Sequence, residues 1–177
     1  KECVQQNGFS RIRDLGSAAL VVDIQEDLAH FGVEFDTRFS EKGLVVSGTL
    51  ARMVAKLKDS GHLYEKDDAW WFRSSDFGDE KDRVVIRANG NHTYFATDIA
   101  YHMDKLDRGF DQLINIWGAD HHGYIGRMKA VIAALNQDPD RLTVLVVQFA
   151  ALYRGGERVA MSTRSGEFVT LRELRQE

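Results

Sequence analysis

Four short polar groups sit where apolar runs end or helices begin: Ser40-Glu41, Tyr94 with Asp98, Asp120-His121-His122, and Ser162 to Gly166. Carboxylates suit a cationic ligand, while imidazoles and a Ser/Arg/Gly loop suit phosphates. The third group follows the apolar residues Leu113, Ile114, Ile116 and Trp117 and the break at Gly118, and a helical pattern begins near Tyr124. A strand that stops at glycine and turns into a helix places polar side chains at the carboxyl edge of a sheet. Open α/β sheets bind ligands at that edge, and a helix start there favours anions. Residue types alone point to a nucleotide-like ligand with a cationic partner.

Each group also has a plainer reading. Glu41 follows Ser40, a plausible N-cap, so it either complements a helix dipole or binds a cation. Thr97 with Asp98 in the first turn is an ordinary helix start. Asp120, His121 and His122 are possible metal ligands, but they lack the turn or helical spacing and the further donor of a zinc site. A Ser-His-Asp hydrolase would want a Gly-x-Ser-x-Gly elbow, which is absent. No Gly-x-Gly-x-x-Gly or Walker loop is present either.

The elements that must position these groups read as α/β. Residues 9–31 form a helical pattern ending at Gly32, with a core-facing stripe expected. Residues 33–39 read as a short strand, and 43–60 as a helix stopped by Gly61. Residues 63–64, 69–73 and 83–87 read as short strands joined by acidic turns, of which 76–82 is expected to be a solvated loop. Next come a strand over 93–96, a helix from Thr97 to about Arg108, a strand over 112–117 and a helix over 124–135. That order is a βαβ unit with parallel strands. Residues 142–152 read as a fully buried strand, Gly155-Gly156 as a hairpin turn, and Thr170 as the cap of a last helix.

Composition is ordinary for a globular domain, at 44% hydrophobic and 28% charged over 177 residues. The net charge of −4 gives no global drive toward nucleic acid, so a nucleic-acid partner would need a local patch. The one cysteine, Cys3, excludes an internal disulfide and fits a reducing, cytoplasmic home. No apolar run approaches the ~18 residues of a membrane helix. The chain starts without methionine and stops inside a helical pattern, so an excised piece of a longer protein is expected.

In order along the chain, Val33-Glu-Phe-Asp with Phe39-Ser-Glu, Trp71 to Arg83, Thr93 to His102, Trp117 to Lys129, and Met161 to Leu174 resemble the bacterial type of arginyl-tRNA synthetase. The resemblance runs from about Phe9 to Leu174. It implies the second half of a Rossmann-like class I synthetase catalytic domain with a small β-rich insertion. The implied divisions of residues 1–177 are the insertion at about 62–92, the Rossmann-like half at 93–160, and a signature loop with the start of a helical region at 161–177. The implied reaction is ATP-dependent formation of arginyl-adenylate and transfer of the arginyl group to tRNA(Arg), with this piece alone inactive. The alternative is a non-catalytic, ligand- or RNA-binding paralogue that keeps the fold.

By the same resemblance, Glu41, Tyr94, Asp98 and His121 contact the substrate arginine. Gly118, Asp120, His122, Met161 and Ser162 face ATP, and Ser162 and Arg164 serve catalysis on the phosphates. The physics agrees for the first set, since a planar guanidinium is best read by carboxylates. Class I enzymes carry Lys-Met-Ser-Lys-Ser where this chain has Ala160 to Arg164. Both lysine positions are lost, to Ala160 and Thr163, which leaves Arg164 as the replacement charge. The His-x-Gly-His signature of the family is absent from the 177 residues. ATP is expected as substrate with Mg2+, with no tightly bound cofactor, no protein metal site, no membrane association, and a monomeric state.

Overall fold

The structure is a computed structural model that describes residues 2–159, 161 and 168–177, in two units: residues 1–38 with 151–177, and residues 39–150. The first unit opens with helix α1 (Glu2–His30). Its C-terminus is closed by Gly32 N–H donating to Ala29 and Val33 N–H donating to Leu28. These bonds satisfy carbonyls that the helix leaves open. The expected core-facing stripe is not found. Phe9, Ile12, Leu15, Leu20 and Ile24 are all exposed, because the apolar residues of α1 are spread round its circumference. The expected strand over 33–39 is also absent. Val33 is used to end the helix, and residues 33–40 run on as irregular chain.

The second unit holds the apolar core. It begins with helices α2 (Glu41–Val46) and α3 (Thr49–Asp59). Leu50, Met53 and Leu57 recur at a helical stride on α3 and are buried. Strands β1 (Leu63–Lys66), β2 (Ala69–Phe72) and β3 (Arg83–Ile86) then form an antiparallel sheet in that order. Phe72 and Val85 are fully buried from this sheet. The acidic segment between β2 and β3 is a built structure rather than the expected solvated loop. Arg83 holds Asp79 through two hydrogen bonds of 2.7 Å, and Asp82 accepts from the Tyr64 hydroxyl at 2.9 Å and the Ser75 hydroxyl at 2.6 Å. Asp79 is nearly buried, and the Arg83 guanidinium holds its carboxyl down at about 2.

Helix α4 (Tyr94–Asp107) starts three residues earlier than the sequence pattern indicates. Thr93, not Thr97, is its N-cap: its hydroxyl oxygen accepts from Ala96 N–H at 3.3 Å and donates back to the β3 carbonyl of Val84 at 2.9 Å. One threonine therefore caps α4 and ties it to the sheet. This leaves no strand over 93–96. Phe95, Ala96, Ile99, Ala100 and Met103 face the core.

Strands β4 (Leu113–Gly118) and β5 (Leu142–Val147) pair in parallel, from Leu113 opposite Leu142 to Gly118 opposite Val147. A 3-10 turn (Ala119–Tyr124) and helix α5 (Ile125–Ala134) connect them. The expected βαβ unit, which began with a strand over 93–96, is not formed; a parallel βαβ unit is found one element later, from β4 through α5 to β5. The strand over 142–152 is shorter than expected and buried on one face only. Leu142 is buried, while Leu145 and Val147 are exposed beside Ile114 and Ile116 of β4. In the first unit, β6 (Tyr153–Arg154) and β7 (Glu157–Arg158) make the expected hairpin. Gly155 and Gly156 both take positive φ (59° and 87°), the pair that a tight two-residue hairpin turn demands. Helix α6 (Leu171–Gln176) begins at the expected cap. Thr170 and Glu173 form a reciprocal capping box, and the Arg172 guanidinium pairs with Asp23 and Asp27 of α1 at 2.6 and 2.7 Å. No helix among the described residues is long and apolar enough to cross a membrane.

Candidate functional site

The early start of α4 determines which side chains share a face. Tyr94, Thr97, Asp98 and Tyr101 fall at i, i+3, i+4 and i+7 of that helix, so they project along one stripe. The stripe lines a cleft of about 290 Å³, completed by Phe39, Glu41 and Leu44. Glu41 is in the first turn of α2, where it complements the helix start, and its side chain also lines the cleft. Phe39 stacks on Tyr101 with ring centroids 4.3 Å apart, giving the cleft an aromatic wall. Tyr94, 82% exposed, stands at the mouth. A second cleft of about 410 Å³ shares Glu41, Tyr94 and Thr97 and adds Arg87, Asn91 and His92.

Asp98 is half-buried, and two separate contacts hold it. Its carboxylate Oδ2 accepts from the Tyr124 hydroxyl at 2.6 Å. Its backbone carbonyl accepts from His102 Nδ1 at 2.8 Å. Because a carbonyl only accepts, Nδ1 carries the imidazole hydrogen, and Nε2 is left to accept from Asn115 Nδ2 at 2.8 Å. Asn115 Oδ1 in turn accepts from Lys105 Nζ at 2.8 Å. His102 and Asn115 are buried, so this chain of polar groups runs through the core from α4 to β4.

Electrostatics follow from that burial. Desolvation pushes the Asp98 carboxyl up; the Tyr124 hydrogen bond opposes the shift and the Glu41 charge reinforces it. Desolvation, with the hydrogen bond to Asp98, drives the Tyr124 phenol well above its usual range. Burial pulls His102 down to about 4, so it is neutral at physiological pH. Two acids against an aromatic wall make a cleft suited to an organic cation: carboxylates pair with the charge and rings accept its face.

The other expected contacts fall on the turn after β4. A side chain on Gly118 would place its Cβ 2.6 Å from Asp120 Oδ1, so the exposed Asp120 carboxylate is folded back over the Gly118 Cα. Asp120 Oδ2 lies 3.4 Å from His121 Nε2. Asp120, His121 and His122 are all exposed. His121 is near enough to Asp98 to influence its carboxyl. Met161 is exposed in the first unit, whereas Ser162 and Arg164, together with Ala160 and Thr163, lie outside the described residues. Among the described residues no three His, Cys, Asp or Glu side chains form a group able to hold a metal ion.

Tyr124, Thr97, Tyr101 and Phe39 are not among the site residues expected from the sequence. The stride 94, 97, 98, 101 was a usable signal for two of them, given the right helix start. For Tyr124 the sequence holds no signal, because a tyrosine opening an apolar helix reads as packing.

The family described as tRNA synthetases class I (R), catalytic domain, matches residues 4–177. The arginine–tRNA ligase of Thioalkalivibrio sulfidiphilus is 60% identical over 177 residues, which is 100% of this chain and 30% of that protein. The arginine–tRNA ligase of Nitrosomonas europaea is 64% identical over 157 residues, 89% of this chain and 27% of that protein. A solved Campylobacter jejuni structure named for an arginyl-tRNA synthetase superposes with a TM-score of 0.89 at 37% identity, covering 97% of this chain and 37% of that one. The Thermus thermophilus arginyl-tRNA synthetase, at 18% identity and a TM-score of 0.66 over 83% of this chain and 33% of that one, shares the fold. The chain thus spans about 30% of the length of the first of these relatives.

Proposed function

Since the chain belongs to the class I tRNA synthetase (R) catalytic-domain family, with the α/β fold of that family, we propose that it forms the amino-acid and nucleotide wall of an arginine–tRNA ligase. The observation that carries this reading is the cleft in which Glu41 and Asp98 face a stacked Phe39–Tyr101 pair. A guanidinium is planar, always charged, and presents donors in a fork that two carboxylates can share. Tyr94 at the mouth and His121 beside Asp98 are the further contacts to the amino acid. With the guanidinium end held, the α-carboxylate is directed out of the cleft.

In the proposed reaction that carboxylate attacks the α-phosphorus of ATP. A carboxyl–phosphorus anhydride forms, the bond to the β-phosphate breaks, and pyrophosphate leaves. A ribose hydroxyl at the tRNA(Arg) terminus then attacks the carbonyl carbon and releases AMP. In this reading the adenosine approaches the turn at Gly118, which has no side chain, and Asp120 and His122 are its hydrogen-bonding partners. Met161, Ser162 and Arg164 belong to the loop that would neutralise and position the phosphates, with Mg2+ carried by ATP itself. A cytoplasmic, monomeric enzyme belongs to the same proposal.

The test is amino-acid-dependent ATP–pyrophosphate exchange by the complete ligase carrying this segment, across arginine, lysine, glutamine and methionine. Exchange with arginine alone is expected. Equal exchange with lysine would contradict a guanidinium-reading cleft.

A further inference from the structure

Asp98 can hold a substrate cation in a fixed place only if its own carboxylate is fixed. Among the described residues, Tyr124 is the one side chain that hydrogen-bonds that carboxylate, with its hydroxyl 2.6 Å from Oδ2. The phenol is itself held on several sides. Its ring meets Phe95 edge-on at 6.2 Å and Trp117 at 5.8 Å, and the Arg127 guanidinium lies 4.6 Å from its centroid. Arg127 Nε in turn lies 3.5 Å from Oδ2 of Asp79, the carboxylate that Arg83 already grips; it is an ion-pair approach and not a hydrogen bond. A line of contacts therefore runs from the β1–β3 sheet through Asp79, Arg127 and Tyr124 to the wall of the cleft.

We propose that Tyr124 is a positioning residue for arginine: its hydroxyl takes one carboxylate oxygen of Asp98, fixes the plane of the carboxylate, and presents the other oxygen to the guanidinium. The proposal rests on the reading of the cleft as the arginine site. Bidentate or paired recognition of a planar cation depends on angle as well as distance, and a carboxylate on a short side chain turns about its last bond unless something stops it. Packing of the Tyr124 ring by aromatic neighbours makes the hydroxyl a rigid stop. The same contact satisfies the hydroxyl of a half-buried phenol.

The test is a double-mutant cycle in the complete ligase, with Tyr124→Phe, Asp98→Asn and the pair, read as KM for arginine and KM for ATP in pyrophosphate exchange. Tyr124→Phe keeps every ring contact and removes only the hydroxyl. It should raise the arginine KM by about ten-fold or more, as expected for loss of a hydrogen bond to a charged group, with the ATP KM within about two-fold. In the Asp98→Asn background the same change should move the arginine KM by less than about two-fold, because the group it acts through is gone. If Asp98→Asn leaves the arginine KM unchanged, both the site assignment and the role of Tyr124 fall. If Asp98→Asn raises it but Tyr124→Phe does not, only the role of Tyr124 falls. Thermal melts accompany each variant, with assays run below all melting points. A parallel rise of both KM values would mean a merely structural role and would overturn the proposal.

Discussion

The polar chain from His102 to Lys105 yields a pH dependence of folding whose size follows from the structure. His102 is 4% exposed, donates from Nδ1 to the Asp98 carbonyl, and accepts at Nε2 from Asn115. Its folded-state pKa is depressed from 6.5 to about 4, chiefly by burial. The unfolded chain therefore binds a proton near pH 6.5 that the folded chain refuses until about pH 4. Stability from this group is complete above pH 6.5 and is lost as pH falls toward 4. At about 1.4 kcal/mol per pKa unit the full loss is about 3 kcal/mol, of which about 2 kcal/mol is already gone at pH 5. His102→Asn keeps an N–H near the Asp98 carbonyl and removes the titrating ring. The variant is less stable at pH 7, by roughly 1–3 kcal/mol for the unpaired Asn115 amide. The gap to the parent should then narrow by about 2 kcal/mol at pH 5. Urea unfolding followed by tryptophan fluorescence at the two pH values measures the gap, and imidazole NMR measures the titration directly. A His102 ring that titrates near its ordinary value, or a gap that is the same at both pH values, would refute the reasoning.

Two further outcomes are expected of the complete ligase. Gly118→Ala displaces the Asp120 carboxylate, whose Oδ1 occupies the space a Cβ would need; the KM for ATP should rise several-fold while that for arginine holds, as measured by varying each substrate in exchange. Arg164→Ala should slow adenylate formation far more than it weakens arginine binding, as read by comparing the exchange rate with arginine titrated calorimetrically, and an unchanged exchange rate would remove Arg164 from the phosphate chemistry.

Much of this was readable from residue order, and the misses have physical causes. The β4–turn–α5 edge was clear because an apolar run, a glycine and a polar triplet occur in succession. The start of α4 was misplaced because Thr93 and Thr97 are equally good caps in one dimension. The β3 carbonyls of Val84 and Val85, 2.9 and 3.2 Å from the Thr93 hydroxyl, decide between them. With the start at Thr93, Tyr94 and Asp98, already grouped in the sequence, are one turn apart on one face of α4. Glu41 could not be separated from an ordinary first-turn acid, since it is one as well as a cleft residue. Tyr124, Arg127 and Asp79 escaped because their joint role depends on contacts between α4, α5 and the β3 approach that no spacing encodes. The Asp79 turn looked solvated because acidic turns usually are, and here Arg83 reverses the usual outcome. Leu15, Ala18, Ala19, Val22, Leu28 and Phe31 fall roughly at helical spacing and so suggested a buried stripe, but the apolar residues of α1 taken together spread round the helix.

The central claim is that the Glu41–Asp98 cleft reads the guanidinium of arginine, and Glu41→Gln in the complete ligase tests it most directly. The substitution keeps shape and removes one charge at the cleft wall. We expect the arginine KM to rise by about ten-fold to a hundred-fold, the range for loss of a charge-assisted contact, with the ATP KM within about two-fold. An arginine KM equal to that of the parent enzyme would contradict it.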